Sequence, residues 1–256
     1  MLDTRRPNQI AKFNLTDRHL RTVLDCIHHG EIVLPHFHRN WCWRDGDILA
    51  LIASVAHGDP IGGVTLLEAR PMDWRPINGA QVSDPDRAPL HLVLDGQQRL
   101  TAMYQACYLP GPVRIELGDR PEYRRYFIDM EKAVSISASL EDAISSISTT
   151  VEGVPTANAD LPYSEAEFLY ERGVFPANSL FDFRTFRRRY SEFWDTEDRR
   201  ASRADAIRKL NDFDDVFVGA FAAYRMPVQS VNRHASNEEI LRIFEKLNRR
   251  GPRPVD

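Results

Sequence analysis

The stretch of the chain that decides the fold is His91-Leu92-Val93-Leu94-Asp95-Gly96-Gln97-Gln98-Arg99-Leu100-Thr101-Ala102-Met103-Tyr104. Its apolar run Leu92–Leu94 predicts a buried strand, and Asp95-Gly96 predicts a tight turn directly after that strand. Apolar residues then recur at helical spacing, at Leu100, Met103 and Tyr104. The segment therefore predicts a strand, a turn and a helix in immediate succession.

Four polar residues stand at this turn, and they allow two interpretations: Asp95, Gln97, Gln98 and Arg99. The first is a polyphosphate site, because the first turn of a helix has free N–H groups and a partial positive charge. A carboxylate that holds a metal and a guanidinium that pairs with phosphate oxygens fit such a site. The second is a surface turn in which Asp95 caps the helix. On the residues alone, the structural interpretation is favoured.

Three further blocks of sequence accompany this turn, at residues 32–43 (IVLPHFHRNWCW), 48–62 and 243–251. The four blocks, in this order, resemble the DGQQR-motif domain family of bacterial phage-defence proteins. Members of that family include the N-terminal domain of GmrSD-type modification-dependent restriction enzymes, and the family is similar to the ParB/sulfiredoxin fold. The four blocks together span nearly the whole chain, and the resemblance shifts the weight toward a functional site at the turn.

The resemblance implies a regulatory domain of a bacterial antiphage restriction system that binds and hydrolyses a nucleoside triphosphate. The expected enzyme is a Mg²⁺-dependent NTPase, with GTP as the candidate preferred substrate. Asp95 would hold Mg²⁺ or orient the attacking water, Gln98 would position water or a phosphate oxygen, and Arg99 would neutralise phosphate charge. Further nucleotide contacts are expected from Gly96, Gln97, Arg39 and Asn248.

An aromatic segment in the first of the three blocks is the expected sensor of modified DNA, through Phe37, His38 and Trp43. These residues either recognise a base or anchor their loop in the core, and both alternatives stay open. The segment follows Pro35 and is expected to be exposed. His38 departs from the family pattern, which usually carries Gln at this position, so the identity of the sensed group is open.

A second hypothesis is a ParB-like module that binds nucleotide or DNA without hydrolysis and regulates a partner nuclease. A third is that the domain itself nicks DNA, but the sequence offers neither a metal cluster nor a nucleophile for that reaction. The expected partners are a nucleoside triphosphate, modified or phage DNA, an HNH-type nuclease domain and a further copy of the chain. No His…Asn…His pattern occurs in this sequence, so that nuclease is expected beyond these residues in the same chain or in a separate protein.

Composition and charge limit the possible binding partners and cellular location of the protein. The formal net charge of −4 gives no global attraction to nucleic acid, although the 33 basic residues are almost all Arg. Three widely spaced cysteines predict neither a disulfide framework nor a metal site. No stretch approaches the ~20 apolar residues of a membrane helix, and the polar N-terminus predicts no signal peptide. A reducing cytoplasm is the expected setting, without membrane contact.

The order of elements predicts an α+β fold. Residues 1–130 are expected to form the ParB-like mixed-sheet region, and residues 131–256 a mainly helical region that closes the same domain. Thr16 or Asp17 is expected to cap the first helix. Residues 196–224 are expected to form one long helix or two, and Pro227–Val231 a strand. Two pairs have capping-box spacing, Ser164 with Glu167 and Ser236 with Glu239.

Overall fold

A computed structural model describes residues 13–81, 88–117, 120–156 and 166–248. The strands within these ranges are β1 (Phe13–His19), β2 (Ile32–Pro35), β3 (Val64–Glu68), β4 (Trp74–Arg75), β5 (His91–Asp95), β6 (Val113–Leu117), β7 (Arg120–Asp129), β8 (Ile144–Thr149), β9 (Val174–Pro176) and β10 (Arg225–Val231). The α-helices are α1 (Leu20–His28), α2 (Asp45–His57), α3 (Gln97–Met103), α4 (Met130–Val134), α5 (Leu140–Ala143), α6 (Ala166–Arg172), α7 (Phe183–Trp194), α8 (Arg200–Phe213), α9 (Gly219–Ala223) and α10 (Asn237–Asn248).

The predicted strand–turn–helix is confirmed, since β5 ends at Asp95 and α3 begins at Gln97. After Met103 the helix continues as a π-helical segment over Tyr104–Tyr108. A second π-helical segment, Asp214–Val218, joins α8 to α9 and makes the predicted long helix a nearly continuous one. None of the helices within the described residues is both long enough and apolar enough to cross a membrane.

One predicted helix start is wrong. Thr16 and Asp17 do not cap α1, because both belong to β1, which pairs antiparallel with β10 from Phe13↔Val231 to His19↔Arg225. The helix begins only at Leu20, with His19 in the capping position and no side-chain cap. The pairing with a strand some 210 residues later along the chain overrides the local capping preference.

The second capping-box prediction is confirmed. The backbone N–H of Glu239 donates to Oγ of Ser236 at 3.2 Å, and the N–H of Ser236 donates to the Glu239 carboxylate at 3.0 Å. This reciprocal pair fixes the start of α10. The other predicted pair begins at Ser164, which lies outside the described residues.

The main sheet is mixed and has the strand order β1-β10-β3-β5-β2-β4. β10 comes from the second half of the sequence and lies between β1 and β3. It is antiparallel to β1 and parallel to β3. β5 lies between β3 and β2, near the middle of the sheet. The predicted α+β architecture is confirmed, with a mainly helical C-terminal part that returns one strand to the N-terminal sheet.

The two faces of this sheet are covered differently. One face packs against α1, α2 and α3 in the main core, to which Val93 of β5 contributes. The other face forms a smaller cluster with Ile240 and Ile243 of α10, to which Leu92 and Leu94 contribute. Residues Leu92–Leu94 of β5 are buried, and Asp95, the last residue of the strand, is partly exposed.

A second sheet is fully antiparallel and has β7 at its centre. β7 pairs with β8 along one edge, and on the other edge with β6 and then with β9. The sequence alternates in polarity over Val113–Leu117 and over residues 125–130, which predicts two strands. The first is confirmed as β6, and the second corresponds to the second half of β7.

Candidate functional site

The turn after β5 depends on a glycine. Gly96 has φ +93°, in the left-handed region that favours glycine. A Cβ atom at Gly96 would lie 2.9 Å from Cγ2 of Val64, closer than carbon atoms normally approach. The predicted tight turn is therefore confirmed, and the close packing on Val64 is a second reason for glycine at this position.

Both glutamines of the motif hold the segment between β2 and α2, residues 36–44, which we call the aromatic loop. Nε2 of Gln97 donates to the carbonyl oxygen of Arg39 at 2.9 Å. Nε2 of Gln98 donates to the carbonyl of Asn40 at 3.1 Å, and its Oε1 accepts the backbone N–H of Cys42 at 3.2 Å. Gln97 and Gln98 are only 4% and 7% exposed. Their carboxamides thus satisfy the backbone of a loop that has no regular structure of its own.

Arg99 holds the segment between α2 and β3, residues 58–63, which we call the glycine loop. Its Nη1 donates to the carbonyl of Ile61 at 2.5 Å, and its Nη2 donates to the carbonyl of Gly63 at 2.9 Å. Gly62 has φ +82°, and a Cβ atom there would lie 2.5 Å from Nη1 of Arg99. The guanidinium therefore lies directly against the glycine backbone, with its donors directed at carbonyl oxygens.

A tyrosine that the sequence analysis did not single out holds the same loop from the C-terminal half. The hydroxyl of Tyr224, at the end of α9, donates to the carbonyl of Asp59 at 2.7 Å and accepts the N–H of Ile61 at 3.1 Å. No local pattern signals this contact, because the partners are 163 and 165 residues apart.

Asp95 is the acidic group at the turn. Its side chain is 33% exposed, and its Oδ2 lies 3.5 Å from Nη2 of Arg99. No ion pair of Asp95 other than that with Arg99 is found in the part of the chain that the structure describes. The carboxylate is thus partly neutralised by a cation and still accessible to a ligand.

A metal bound here would depend on few protein ligands. The described residues contain no group of three or more His, Cys, Asp or Glu side chains that could hold a metal ion. Mg²⁺ in nucleotide sites is commonly bound by one or two carboxylates together with phosphate oxygens and water. Asp95 fits that mode of binding, and it does not fit a metal held by protein ligands alone.

The expectation that His38 lies in an exposed segment is wrong. His38 is 7% exposed, and its ring Nε2 lies 2.7 Å from the carbonyl oxygen of Val93, to which it donates. Burial and then the Arg75 charge lower the pKa of His38, although the Val93 carbonyl, Gln97 and Asp95 act in the opposite direction. The neutral ring is therefore an internal anchor of the aromatic loop.

The residues on either side of His38 are exposed, as expected. Phe37 is 42% exposed, and its ring contacts Phe244 of α10 edge-to-face at 4.9 Å between centroids. Arg39 is exposed, and no carboxylate pairs with it in the described ranges. The aromatic loop thus presents an aromatic ring next to the turn, together with a cation that has no ion-pair partner among the described residues.

The remaining predicted residues are placed differently. Trp43 is half-buried and packs against the main core, 6.1 Å from Trp41 between ring centroids. Asn248 is the last residue of α10, and its side chain lies outside the described residues. A nucleotide-binding role for Asn248 stays a prediction.

Two residues of this region, Trp41 and Arg75, make contacts that the sequence did not indicate. Trp41 is 5% exposed, and its indole N–H donates to the carbonyl of Arg114 at 2.6 Å. Nη2 of Arg75 donates to the carbonyls of His38 and Arg39 at 3.3 and 3.2 Å. Arg75 lies in residues 72–89, whose Pro, Asp and Gly content predicts a loop, and no local pattern indicates its contact across 36 residues.

Comparison with known proteins places these features in a family. The family model described as GmrSD restriction endonuclease, N-terminal domain, matches residues 20–253. The uncharacterised protein MJ0686 of Methanocaldococcus jannaschii is similar, with 26% identity over 247 residues that cover 90% of this chain. The chain spans 39% of the length of that relative.

Proposed function

The chain belongs to the family of GmrSD restriction endonuclease N-terminal domains, and we propose that it is a nucleotide-binding and nucleotide-hydrolysing regulatory domain of a restriction system. Modified or phage DNA is its proposed effector. An HNH-type nuclease domain, in the same chain or in a separate one, is its proposed partner, and assembly with a further copy is part of the same proposal.

The observation that carries this proposal is the convergence of two loops on one accessible carboxylate. Gln97 and Gln98 bind the aromatic loop, and Arg99 binds the glycine loop, so that both loops are fixed to the turn that begins at Asp95. A ligand that moved this turn would move both loops with it. Such an arrangement suits a domain whose ligand state has to be communicated to a partner.

In this proposal, Asp95 would hold Mg²⁺, and the metal would supply charge neutralisation and orientation. Nη2 of Arg99 exchanges its 3.5 Å contact with Asp95 for a phosphate oxygen. Arg39, a cation without an ion-pair partner in the described ranges, contacts the outer phosphates, and Gly96 lets the backbone approach them. Gln97 and Gln98 are positioning residues, because their carboxamides already hold the loop that carries Arg39.

The proposed DNA contact falls mainly on Phe37, which is exposed on the aromatic loop. Trp43 and the buried His38 would affect such a contact indirectly, because they stabilise the conformation of the loop that carries Phe37. This division follows from burial, since only exposed rings are available for stacking on a base.

One observation favours a second candidate, a module that binds nucleotide without turnover. Both ends of the Gln98 carboxamide are bonded to the backbone and the residue is 7% exposed, so this group is not available to orient water. Binding at Asp95 and Arg99 would then select one arrangement of the two loops without chemistry.

The experiment that decides between the two is phosphate release from ATP, GTP, CTP and UTP with MgCl₂, with and without DNA that contains modified cytosine, beside calorimetric binding of each nucleotide. Asp95→Asn keeps the shape of the side chain and should reduce turnover by on the order of 10²–10³. Asp59→Asn is the matched control, because Asp59 is exposed on the neighbouring glycine loop. Binding without phosphate release would favour the second candidate, and no binding of any nucleotide would overturn both.

A further inference from the structure

A cavity of about 400 Å³ lies beside the aromatic loop, at the side of Trp41. This volume is in the range of small-molecule binding pockets. Its walls combine the apolar surfaces of Trp41, Leu109 and Pro112 with the carboxamides of Asn78, Gln81 and Gln105, and Arg114 adds one guanidinium.

The chemistry of the walls restricts the ligand. None of the described residues that line the cavity carries a carboxylate, and Arg114 in the lining is a cation, so the walls do not favour a metal ion or an amine. Each carboxamide has both a donor and an acceptor, which matches the mixed donor and acceptor edge of a nucleobase. Apolar side chains provide the contact that a flat heterocycle requires.

Gln105 is the residue best placed to read such an edge. It is only 8% exposed, and its Nε2 is fixed by donation to the carbonyl of Asn78 at 3.1 Å. No partner for its Oε1 is found in the described ranges, so that acceptor remains for a ligand in the cavity. The side chain is thus held in place by one end and available at the other.

The cavity is also connected to the turn at Asp95. Trp41 stands between Asn40 and Cys42, the two residues whose backbone Gln98 holds. Asn78, which also lines the cavity, accepts at its Oδ1 from Nη1 of Arg75 at 3.4 Å, while Nη2 of Arg75 binds the aromatic loop. A ligand that moves Trp41 or Asn78 would therefore act on the loop that the motif positions.

We propose that this cavity binds a nucleobase, supplied either by a mononucleotide or by a base turned out of a DNA duplex. The site lies beside Trp41 and Gln105, not at the accessible carboxylate of Asp95. The inference goes beyond the proposed function, because base binding here needs no phosphate turnover. Its chemistry is the same for the two sources, which the experiment separates.

The test is binding by calorimetry and ligand-observed NMR of adenosine, guanosine, cytidine, uridine and 5-hydroxymethyl-2′-deoxycytidine to the whole chain. Nucleosides carry no phosphate, so a failure of the proposed hydrolysis would not affect this measurement. A second arm uses a short DNA duplex with one unpaired base beside the same duplex fully paired. Nucleoside binding identifies the mononucleotide source, and binding confined to the unpaired-base duplex identifies DNA; either result supports the site.

Two variants assign the binding to this cavity. Gln105→Leu removes the acceptor at similar volume and should weaken binding at least about tenfold. Pro112→Trp fills the cavity from its rim without removing a backbone donor, and should abolish binding even if Gln105→Leu fails to fold. Gln229→Leu on β10, outside the cavity, is the control and should bind as the parent chain does. No binding in either arm, or unchanged binding in both cavity variants, would overturn the proposal.

Discussion

The backbone N–H of Cys42 donates to Oε1 of Gln98 at 3.2 Å, across 56 residues of sequence. With the donation of Gln98 to the carbonyl of Asn40 at 3.1 Å, one side chain satisfies two backbone groups of the aromatic loop. Gln98 belongs to a motif that resembles a phosphate-binding turn, and these two hydrogen bonds give it a structural role in the site.

Gln98→Leu should destabilise the protein by about 2 kcal/mol, because it leaves two partly buried backbone groups without a partner. The free energy of unfolding in urea measures this loss. Gln229→Leu is the matched control, since Gln229 lies in β10 away from the loop, and it should cost much less. Equal effects of the two substitutions would contradict the bridging role of Gln98.

Gly62→Ala should destabilise the protein more than Gly58→Ala. Both glycines have positive φ, so a Cβ strains each by about 1–2 kcal/mol. At Gly58 nothing lies within 4 Å of the added Cβ, whereas at Gly62 the added Cβ would lie 2.5 Å from Nη1 of Arg99. The difference between the two unfolding free energies isolates the contact with Arg99, and a difference near zero would mean that the guanidinium moves away at no cost.

The sequence predicted those parts of the fold that depend on neighbours along the chain. The turn at Gly96 and the capping box at Ser236 are local patterns, and both are confirmed. Thr16 and Asp17 were misassigned because their strand pairs with β10, which no local pattern indicates.

The same division holds for the site. The motif residues are side by side in sequence, so the turn itself was predictable. The partners of Gln97 and Gln98 lie 56–58 residues away, and those of Arg99 lie 36 and 38 residues away. A glutamine that binds a distant carbonyl and one that faces a phosphate have the same local sequence, and the distinction therefore required the folded chain.

Arg99→Ala should lower the free energy of unfolding by about 2–4 kcal/mol, because two charge-assisted hydrogen bonds to the glycine loop are lost. If Arg99 only bound phosphate, its removal would leave the free energy of unfolding unchanged. Thermal unfolding followed by circular dichroism measures the change. Arg208→Ala on α8 is the control, because the Arg208 side chain is 70% exposed and its ion pair is within the same helix; a comparable loss there would contradict the assignment.

The stability of the protein should decrease as the pH falls below about 6.5, the pKa of an unperturbed histidine. Burial lowers the pKa of His38 and of His91 in the folded state, so the unfolded chain binds more protons in this range. The stabilisation that the neutral forms of His38 and His91 provide is complete above the pKa of histidine in the unfolded chain. It is lost as the pH falls through the lower pKa values of the folded state. Urea unfolding between pH 7 and pH 5 should show it.

His38→Gln should make that pH dependence shallower. Glutamine can still donate to the carbonyl of Val93, the contact that His38 makes at 2.7 Å, but it does not titrate. His91 is retained, so part of the dependence should remain. His234→Gln replaces an exposed histidine after β10 and serves as the control. An unchanged slope in His38→Gln would mean that His38 does not titrate with folding.

Arg39→Ala should raise KM for the nucleoside triphosphate about tenfold and leave kcat nearly unchanged. Arg39 is exposed and unpaired within the described ranges, so its loss removes a contact with phosphate without disturbing the bonds that its backbone carbonyl makes with Gln97 and Arg75. A contact that is equally strong in the ground state and the transition state changes KM alone. Unchanged thermal unfolding would establish that the loop is intact. A fall in kcat at constant KM would instead place Arg39 against the reacting phosphate, and unchanged kinetics would exclude it from the nucleotide site.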